Sequence, residues 1–172
     1  MSPETVFRIH LALGYVAWLL CFGVYIWPRL KAMDHLEAQR AIATLHSFRL
    51  FGLVFILPGV IGPKLPADFA SFAAYADFAT GLLAMAALLT VRIRPLFWLL
   101  VVAFNVVGAG DILIDYYHAT QINLPAIAGE LGATYAIPIL YVPILMITHV
   151  VAFYLLLRSQ LAAAPTLAGA SG

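Results

Sequence analysis

Four polar side chains and a glycine lie on one stripe of the fourth long apolar segment. Gly108, Asp111, Asp115 and His118 fall within about 80° of arc on an α-helix, and Asn105 lies about 60° beyond them. Carboxylates, an imidazole and an amide on one face can bind protons, cations or polar ligand groups. Ionisable residues are costly inside an apolar helix and usually face the interior of a bundle. Asp115 and His118 lie near the segment end and could reach interfacial water, whereas Asp111 lies about 10 Å deep.

Two further ionisable residues lie in other apolar segments. Asp77 shares a face with small residues, which favours close helix packing, and it is interpreted equally well as a packing contact or as a proton or cation site. His10 lies at a depth similar to that of Asp111, where a histidine–carboxylate pair could relay protons. The first hypothesis is therefore a ligand-binding site or proton pathway formed by His10, Asp77, Asn105, Asp111 and Asp115.

Histidines at matching depths allow a different chemistry. His46 and Arg49 share a helix face, and His149 lies at a comparable depth in the last apolar segment. Such a pair suits the axial ligation of haem b, with the arginine beside a propionate, and His10 with His118 forms a weaker second pair. Without haem, the planar guanidinium of Arg49 makes it an anion-binding candidate, or its long side chain snorkels to the interface.

The composition that surrounds these residues is that of a membrane protein. The chain has 172 residues, of which 64% are hydrophobic and 10% charged, and its mean hydropathy is +0.99. A soluble domain carries about 25% charged residues. The composition excludes a disordered chain, a nucleic-acid-binding protein and an ordinary cytosolic enzyme. The single cysteine, Cys21, excludes an intrachain disulfide.

Five segments are long and apolar enough to cross a bilayer, which needs about 20 apolar residues per helix. They are residues 6–27, 41–61, 69–91, 96–117 and 135–157. The apolar runs are continuous rather than alternating, so they predict helices. We therefore expect an all-α integral membrane protein, a five-helix transmembrane bundle in one domain over residues 1–161.

The distribution of lysine and arginine predicts the orientation. With the N-terminus outside and the C-terminus inside, the inner side receives Arg29, Lys31, Arg40, Arg92, Arg94 and Arg158. The outer side receives only Arg8 and Lys64. Positive charge accumulates on the cytoplasmic side, and the short loops suit a bacterial inner membrane.

The connections between the predicted spans have distinct compositions. Residues 28–40 have amphipathic helical spacing and are predicted to lie on the inner membrane surface. Residues 118–134 form the longest outer connection and could cap the bundle, and residues 162–172 are predicted to be a disordered tail. Pro138 and Pro143 are expected to kink or loosen the last span.

Missing motifs narrow the function. Both lysines, Lys31 and Lys64, lie outside the spans, which excludes a retinal protein, and no nucleotide-binding loop or hydrolase motif is present. An enzyme is therefore the less favoured class. Three hypotheses are left: transport or sensing of a small molecule, proton or ion; a b-type cytochrome; and an accessory or assembly subunit of a membrane complex. The expected partners are the lipid bilayer and a second copy of the chain or a larger complex.

Overall fold

The computed structural model describes residues 1–168, with side chains over residues 1–158, and that range contains helices and turns but no strand. The α-helices are α1 (Pro3–Ala32, with a π-helical turn at Phe22–Ile26), α2 (His35–Ser47), α3 (Ala67–Leu89), α4 (Arg94–Gln121) and α5 (Val142–Ala168, preceded by a π-helical turn at Ile137–Tyr141). Two 3₁₀ helices complete them, the 3₁₀ segment (Phe48–Ile56) and the cap (Leu124–Tyr135). The all-helical prediction is confirmed.

Four helices are long and apolar enough to cross a membrane. They are Pro3–Ala32, Ala67–Leu89, Arg94–Gln121 and Ile137–Arg158. They coincide with the first, third, fourth and fifth predicted spans. The fold is therefore that of a multi-pass helical membrane protein by length and composition.

The region predicted as the second span, 41–61, has a mixed structure. Its α-helix begins earlier, at His35, because the Asp34 carboxylate caps it by accepting the Glu37 N–H at 2.8 Å. The predicted surface helix 28–40 is therefore divided between the end of α1 and the start of α2. At Phe48 the α-helix changes into the 3₁₀ segment, which ends at Ile56.

The 3₁₀ segment places three buried residues in one row. A 3₁₀ helix has about three residues per turn, so side chains at i and i+3 are eclipsed. Arg49, Gly52 and Phe55 follow this spacing and are all buried. A Cβ atom on Gly52 would lie 2.5 Å from the Cβ of Asp77, and one on Gly81 would lie 2.9 Å from a backbone nitrogen of the 3₁₀ segment. The two glycines thus bring the segment against α3.

The π-helical turn before α5 is explained by proline. Pro143 has no N–H for the carbonyl of Ile139, and its ring would clash with that carbonyl in a regular helix. The wider turn at Ile137–Tyr141 removes the clash. The Ile139 carbonyl then lies against Gly14 of α1, where a Cβ atom would overlap its oxygen. The π-helical turn, which is the loosening expected at the prolines, therefore also forms the contact with α1.

Two apolar clusters occupy opposite ends of the bundle. The first joins the end of α1, the starts of α2 and α4 and the later part of α5, and includes Leu30, Ala38, Phe97 and Leu155. The second joins the start of α1, the 3₁₀ segment, the start of α3 and the cap, and includes Phe7, Phe55, Phe69 and Leu131. The run from α2 through the 3₁₀ segment leads from one cluster to the other and is about 37 Å long.

The cap covers the second cluster, in agreement with the predicted role of this connection. It buries Leu124, Ala128 and Leu131. The backbone N–H of Gly62 donates to the Glu130 carbonyl at 2.7 Å, which fixes the cap to the turn before α3. At the other terminus, α5 continues through 162–168, part of the stretch predicted as a disordered tail, and its alanines favour helix. The rest of that tail, 169–172, lies outside the described residues.

Candidate functional site

A buried arginine joins three helices at the centre of the molecule. The Arg49 side chain is 1% exposed, and its Nε donates to Asp77 Oδ1 at 2.5 Å. Its Nη2 donates to Asp111 Oδ2, and its Nη1 donates to the Gly108 carbonyl at 3.1 Å and to His149 Nε2 at 3.2 Å. One guanidinium therefore pairs with two carboxylates from different helices. We call Arg49, Asp77 and Asp111 the ionic cluster.

The hydrogen bonds determine the tautomer of His149. A guanidinium can only donate, so His149 Nε2 accepts from Arg49. The proton is then on Nδ1, which donates to Asn105 Oδ1 at 2.9 Å, and Asn105 Nδ2 donates to the Val101 carbonyl at 2.8 Å. His149 is neutral in this arrangement and adds no charge to the ionic cluster.

His46 lies directly against His149. The Thr148 hydroxyl donates to the Ile144 carbonyl at 2.8 Å, so it accepts from His46 Nε2 at 3.0 Å. The centroids of the two imidazole rings are 4.0 Å apart. Axial haem ligands lie on opposite faces of the macrocycle, and two rings in contact leave no space for it between them. His46 and His149 therefore do not fit as an axial pair in this arrangement.

Glycine is required at position 108. A Cβ atom there would lie 2.6 Å from Arg49 Nη1, 2.6 Å from His149 Nε2 and 2.7 Å from Thr80 Cγ2. All three distances are shorter than van der Waals contact. The glycine in the polar stripe thus leaves room for the guanidinium and the imidazole to meet beside α4.

A cavity of about 300 Å³ lies beside the ionic cluster and beneath the cap. Most of its wall is apolar and includes Phe7, Leu11, Phe55, Phe69, Ala73, Ile112 and Leu131. Arg49, Asp77, Asp115 and Tyr116 contribute polar groups to the wall, and Tyr116 is held by a 2.5 Å hydrogen bond between its hydroxyl and that of Tyr15. The cavity thus combines an apolar body with polar groups adjoining the ionic cluster.

In the interior beside this cavity, carboxylates outnumber buried guanidinium groups. Asp77, Asp111 and Asp115 face one buried arginine, Arg49, and His149 is neutral. The other arginine of the cavity wall, Arg8, is exposed and pairs with Glu4 at 2.7 Å. Within the described side chains, the buried polar atoms without a hydrogen-bond partner are all acceptors: Gln39 Oε1, His46 Nδ1, Asp111 Oδ1 and Asp115 Oδ1. A surplus of buried acceptors and negative charge favours the uptake of a proton or a cationic group.

The structure brings together most of the predicted polar site but separates one member from it. Asp77, Asn105 and Asp111 meet through Arg49 and His149, and Asp115 lies on the cavity wall. His10 is elsewhere, since its Nδ1 bonds the Tyr135 hydroxyl at 3.0 Å at an exposed position. The histidine–carboxylate pair that the sequence allowed between His10 and Asp111 is therefore not formed, because His10 is exposed and bonds Tyr135 instead.

The other predicted ligands also have defined positions. His118 packs edge-on against the Phe72 ring, with centroids 5.1 Å apart, so it belongs to different surroundings from His10. The anions that Arg49 meets are carboxylates of this chain, and its burial shows that it does not snorkel. Among the described residues, no group of three or more His, Cys, Asp or Glu side chains is arranged to hold a metal ion.

The sequence hypothesis did not identify Arg49 as the partner of the aspartates. The available signal was the combination of a basic residue within one apolar segment and unpaired carboxylates within two others. Burial without neutralisation would be costly for each of them, which favours mutual pairing. By contrast, the sequence positions of Tyr15 and Tyr116 gave no indication that their hydroxyl groups form a hydrogen bond.

The fold and site define a helical membrane protein, by length and composition, with a buried ionic cluster beside a largely apolar cavity. The chain belongs to the family described as a domain of unknown function, DUF8737, whose model matches residues 6–157. No curated protein and no solved structure matches the chain.

Proposed function

We propose that this protein binds a small organic cation in the cavity beside the ionic cluster, as part of transport or sensing across a membrane. The observation that carries the proposal is the apolar cavity with Asp115 on its wall. The carboxylate of Asp115 has a buried oxygen without a partner. A ligand with an apolar body and an ammonium head would fill the apolar part and supply the missing donor.

The charge balance of the cluster suggests how binding is coupled to protons. Without a ligand, the carboxylate surplus is neutralised by a bound proton, because an uncompensated charge in the bilayer interior is costly. An ammonium head beside Asp115 would replace that proton. Binding of the cation therefore releases a proton. This exchange of a proton for the cation would drive either a transport cycle or a sensing response.

Benzylamine, benzyl alcohol and benzoate form a matched series to test this proposal in detergent-purified protein. Calorimetry should detect benzylamine binding, with the alcohol at least about tenfold weaker and benzoate weaker still, since one lost charge-assisted hydrogen bond costs about 1.5–3 kcal/mol. Asp115→Asn should remove the preference for the amine. Asp68→Asn, which changes an exposed carboxylate at the start of α3, is the matched control.

A second variant separates the cavity from the charge. Ala119→Phe would place a ring in the cavity wall and should abolish binding of the amine and the alcohol alike. If benzylamine binding is unchanged in both Asp115→Asn and Ala119→Phe, the cavity is not the binding site. In that case the accessory-subunit hypothesis becomes the better one, with the ionic cluster serving only to hold helices together.

The proposal includes five membrane crossings, with the N-terminus outside and the C-terminus inside a bacterial inner membrane. The run through α2 and the 3₁₀ segment supports a fifth crossing, because it leads from the first apolar cluster to the second over about 37 Å, more than the hydrocarbon thickness of about 30 Å. The six basic residues grouped at the end with Lys31 support the orientation.

Single cysteines introduced into a Cys21→Ser background test this topology in intact cells. A cysteine at Lys64 should react with an impermeant maleimide from outside. A cysteine at Ala32, exposed at the end of α1 and therefore on the other side of α2 and the 3₁₀ segment, should react only after permeabilisation. Labelling of both positions from the same side would overturn the fifth crossing, and reversed labelling would overturn the orientation while keeping the crossing.

A further inference from the structure

A basic pocket lies at the end of the bundle opposite the cap. Its volume is about 250 Å³, and Lys31 of α1, His35 of α2 and Arg158 of α5 contribute its charged or ionisable wall. All three residues are exposed. They come from three different helices, so the fold, rather than a local run of basic residues, brings them together.

The acidic residues near this pocket are engaged elsewhere. The Asp34 carboxylate caps α2 by accepting the Glu37 N–H at 2.8 Å, and the Glu37 carboxylate pairs with Arg40 at 2.5 Å. Neither carboxylate lines the pocket. The positive potential of Lys31 and Arg158 is therefore directed at the pocket without a carboxylate in its wall, and it suits an anion.

The floor of the pocket is apolar. Leu30, Ala38 and Leu155 form it, all three are buried, and all belong to the first apolar cluster. The ammonium group of Lys31 lies 5.5 Å from the centroid of the Trp27 ring, and aromatic rings of this kind favour the membrane–water interface. A site with a cationic rim and an apolar floor at the end of membrane-length helices matches an amphiphilic anion.

We propose that this pocket binds the phosphate headgroup of an anionic phospholipid. The phosphate lies between Lys31 and Arg158, with His35 as an additional donor, and the glycerol region contacts the leucine floor. Basic pockets between transmembrane helices are suited to phospholipid headgroups. A free phosphate would use the same cations but would leave the apolar floor without a partner, so the lipid is the better match.

The test compares dioctanoyl phosphatidylglycerol, dioctanoyl phosphatidylcholine and inorganic phosphate as probes of the full-length protein in detergent. Native mass spectrometry should detect one bound phosphatidylglycerol per chain, and a thermal shift titration should show that the same lipid stabilises the protein. Each removed cation should weaken its affinity about fivefold, so Lys31→Gln/Arg158→Gln should lose about 25-fold. Arg92→Gln/Arg94→Gln removes the same charge near the same end of the bundle and is the matched control.

Each outcome decides the proposal. Loss of phosphatidylglycerol binding in the pocket variant alone, with a monodisperse protein, supports it. Equal loss in both double variants would reduce the effect to general surface charge and overturn it, as would equal binding of phosphatidylcholine. Inorganic phosphate competing at the affinity of the lipid would assign the pocket to a free anion instead. Because benzylamine binding is measured at the opposite end of the bundle, failure of one proposal leaves the other testable.

Discussion

At the scale of single residues, the charges of two buried carboxylates are balanced by one guanidinium, that of Arg49. Arg49 pairs with one oxygen of Asp77 and one oxygen of Asp111, and both carboxylates are buried. Lysine could not replace it, since an ammonium is a point charge without the planar fork that reaches two carboxylates and a carbonyl at once. The cost of burying these charges is offset only while all three partners are present.

Removing the arginine alone should therefore be severe. We expect Arg49→Met to lower the free energy of unfolding by about 3–5 kcal/mol, because it leaves two buried carboxylates without a counter-ion. The triple variant Arg49→Met/Asp77→Asn/Asp111→Asn should recover much of this loss, since it removes the charges together. Denaturant unfolding in detergent measures both, and Arg40→Met, in an exposed pair, should change stability by at most about 1 kcal/mol.

Two glycines of α4, Gly108 and Gly110, give a second prediction at the scale of single residues. Gly108→Ala should destabilise the protein by about 1–3 kcal/mol, because its Cβ would overlap Arg49 and His149. Gly110→Ala adds the same methyl group to the same helix with no atom within 4 Å, and should be neutral or slightly stabilising. Thermal unfolding of both variants checks this, and equal effects would refute the steric explanation.

At the scale of the elements, the 3₁₀ segment is the feature that assembles the site. Its eclipsed row places Arg49 against α3 while Gly52 removes the side chain that would hold the two elements apart. An α-helix through the same residues would rotate Phe55 away from the row, at about 100° per residue. The local helix type thus decides whether the arginine and the apolar cavity wall lie on one side.

The sequence predicted the long elements well and this short one poorly. Continuous apolar runs are sufficient to locate α1, α3, α4 and α5, because length and hydropathy are summed over many residues. The change of helix type at Phe48 depends on contacts with α3 at Gly52 and Gly81, which sequence spacing alone does not contain. The same limit applied to Arg49, whose partners lie in helices distant in sequence.

The attachment of the cap gives a prediction at this scale. The Glu130 carboxylate accepts the backbone N–H of Lys64 at 3.0 Å. Glu130→Ala should release that amide and loosen the cap, so hydrogen exchange at Lys64 should become roughly fivefold faster, for a loss of about 1 kcal/mol. Glu4→Ala, in an exposed pair with Arg8, is the control. Unchanged exchange in both variants would show that the hydrogen bond from the Gly62 N–H to the Glu130 carbonyl is sufficient to hold the cap.

At the scale of the whole molecule, the two apolar clusters and the ionic cluster form three successive layers. The ionic layer is held between two apolar ends, each of which joins several helices. All the residues that line the cavity come from one chain, so we predict that a single chain is sufficient to bind a small ligand.

The number of ligands bound per chain tests whether one chain is sufficient for binding. A nanodisc that contains one chain should bind one benzylamine, with the same affinity as protein at high density in larger discs. Each chain has its own ligand cavity, which makes the affinity independent of protein concentration. Binding that appears only when two chains share a disc would contradict this and restore the dimer as the functional unit.

The division of the proposed second crossing into a short α-helix and a 3₁₀ helix has a consequence for how members of this family are classified. A search for long apolar helices finds four in this chain, and an even number places both termini on the same side of the membrane. With the fifth crossing counted, the termini lie on opposite sides. A reporter fused to the C-terminus would then be exported under one count and retained under the other, so the location of the reporter reveals whether the number of crossings is even or odd.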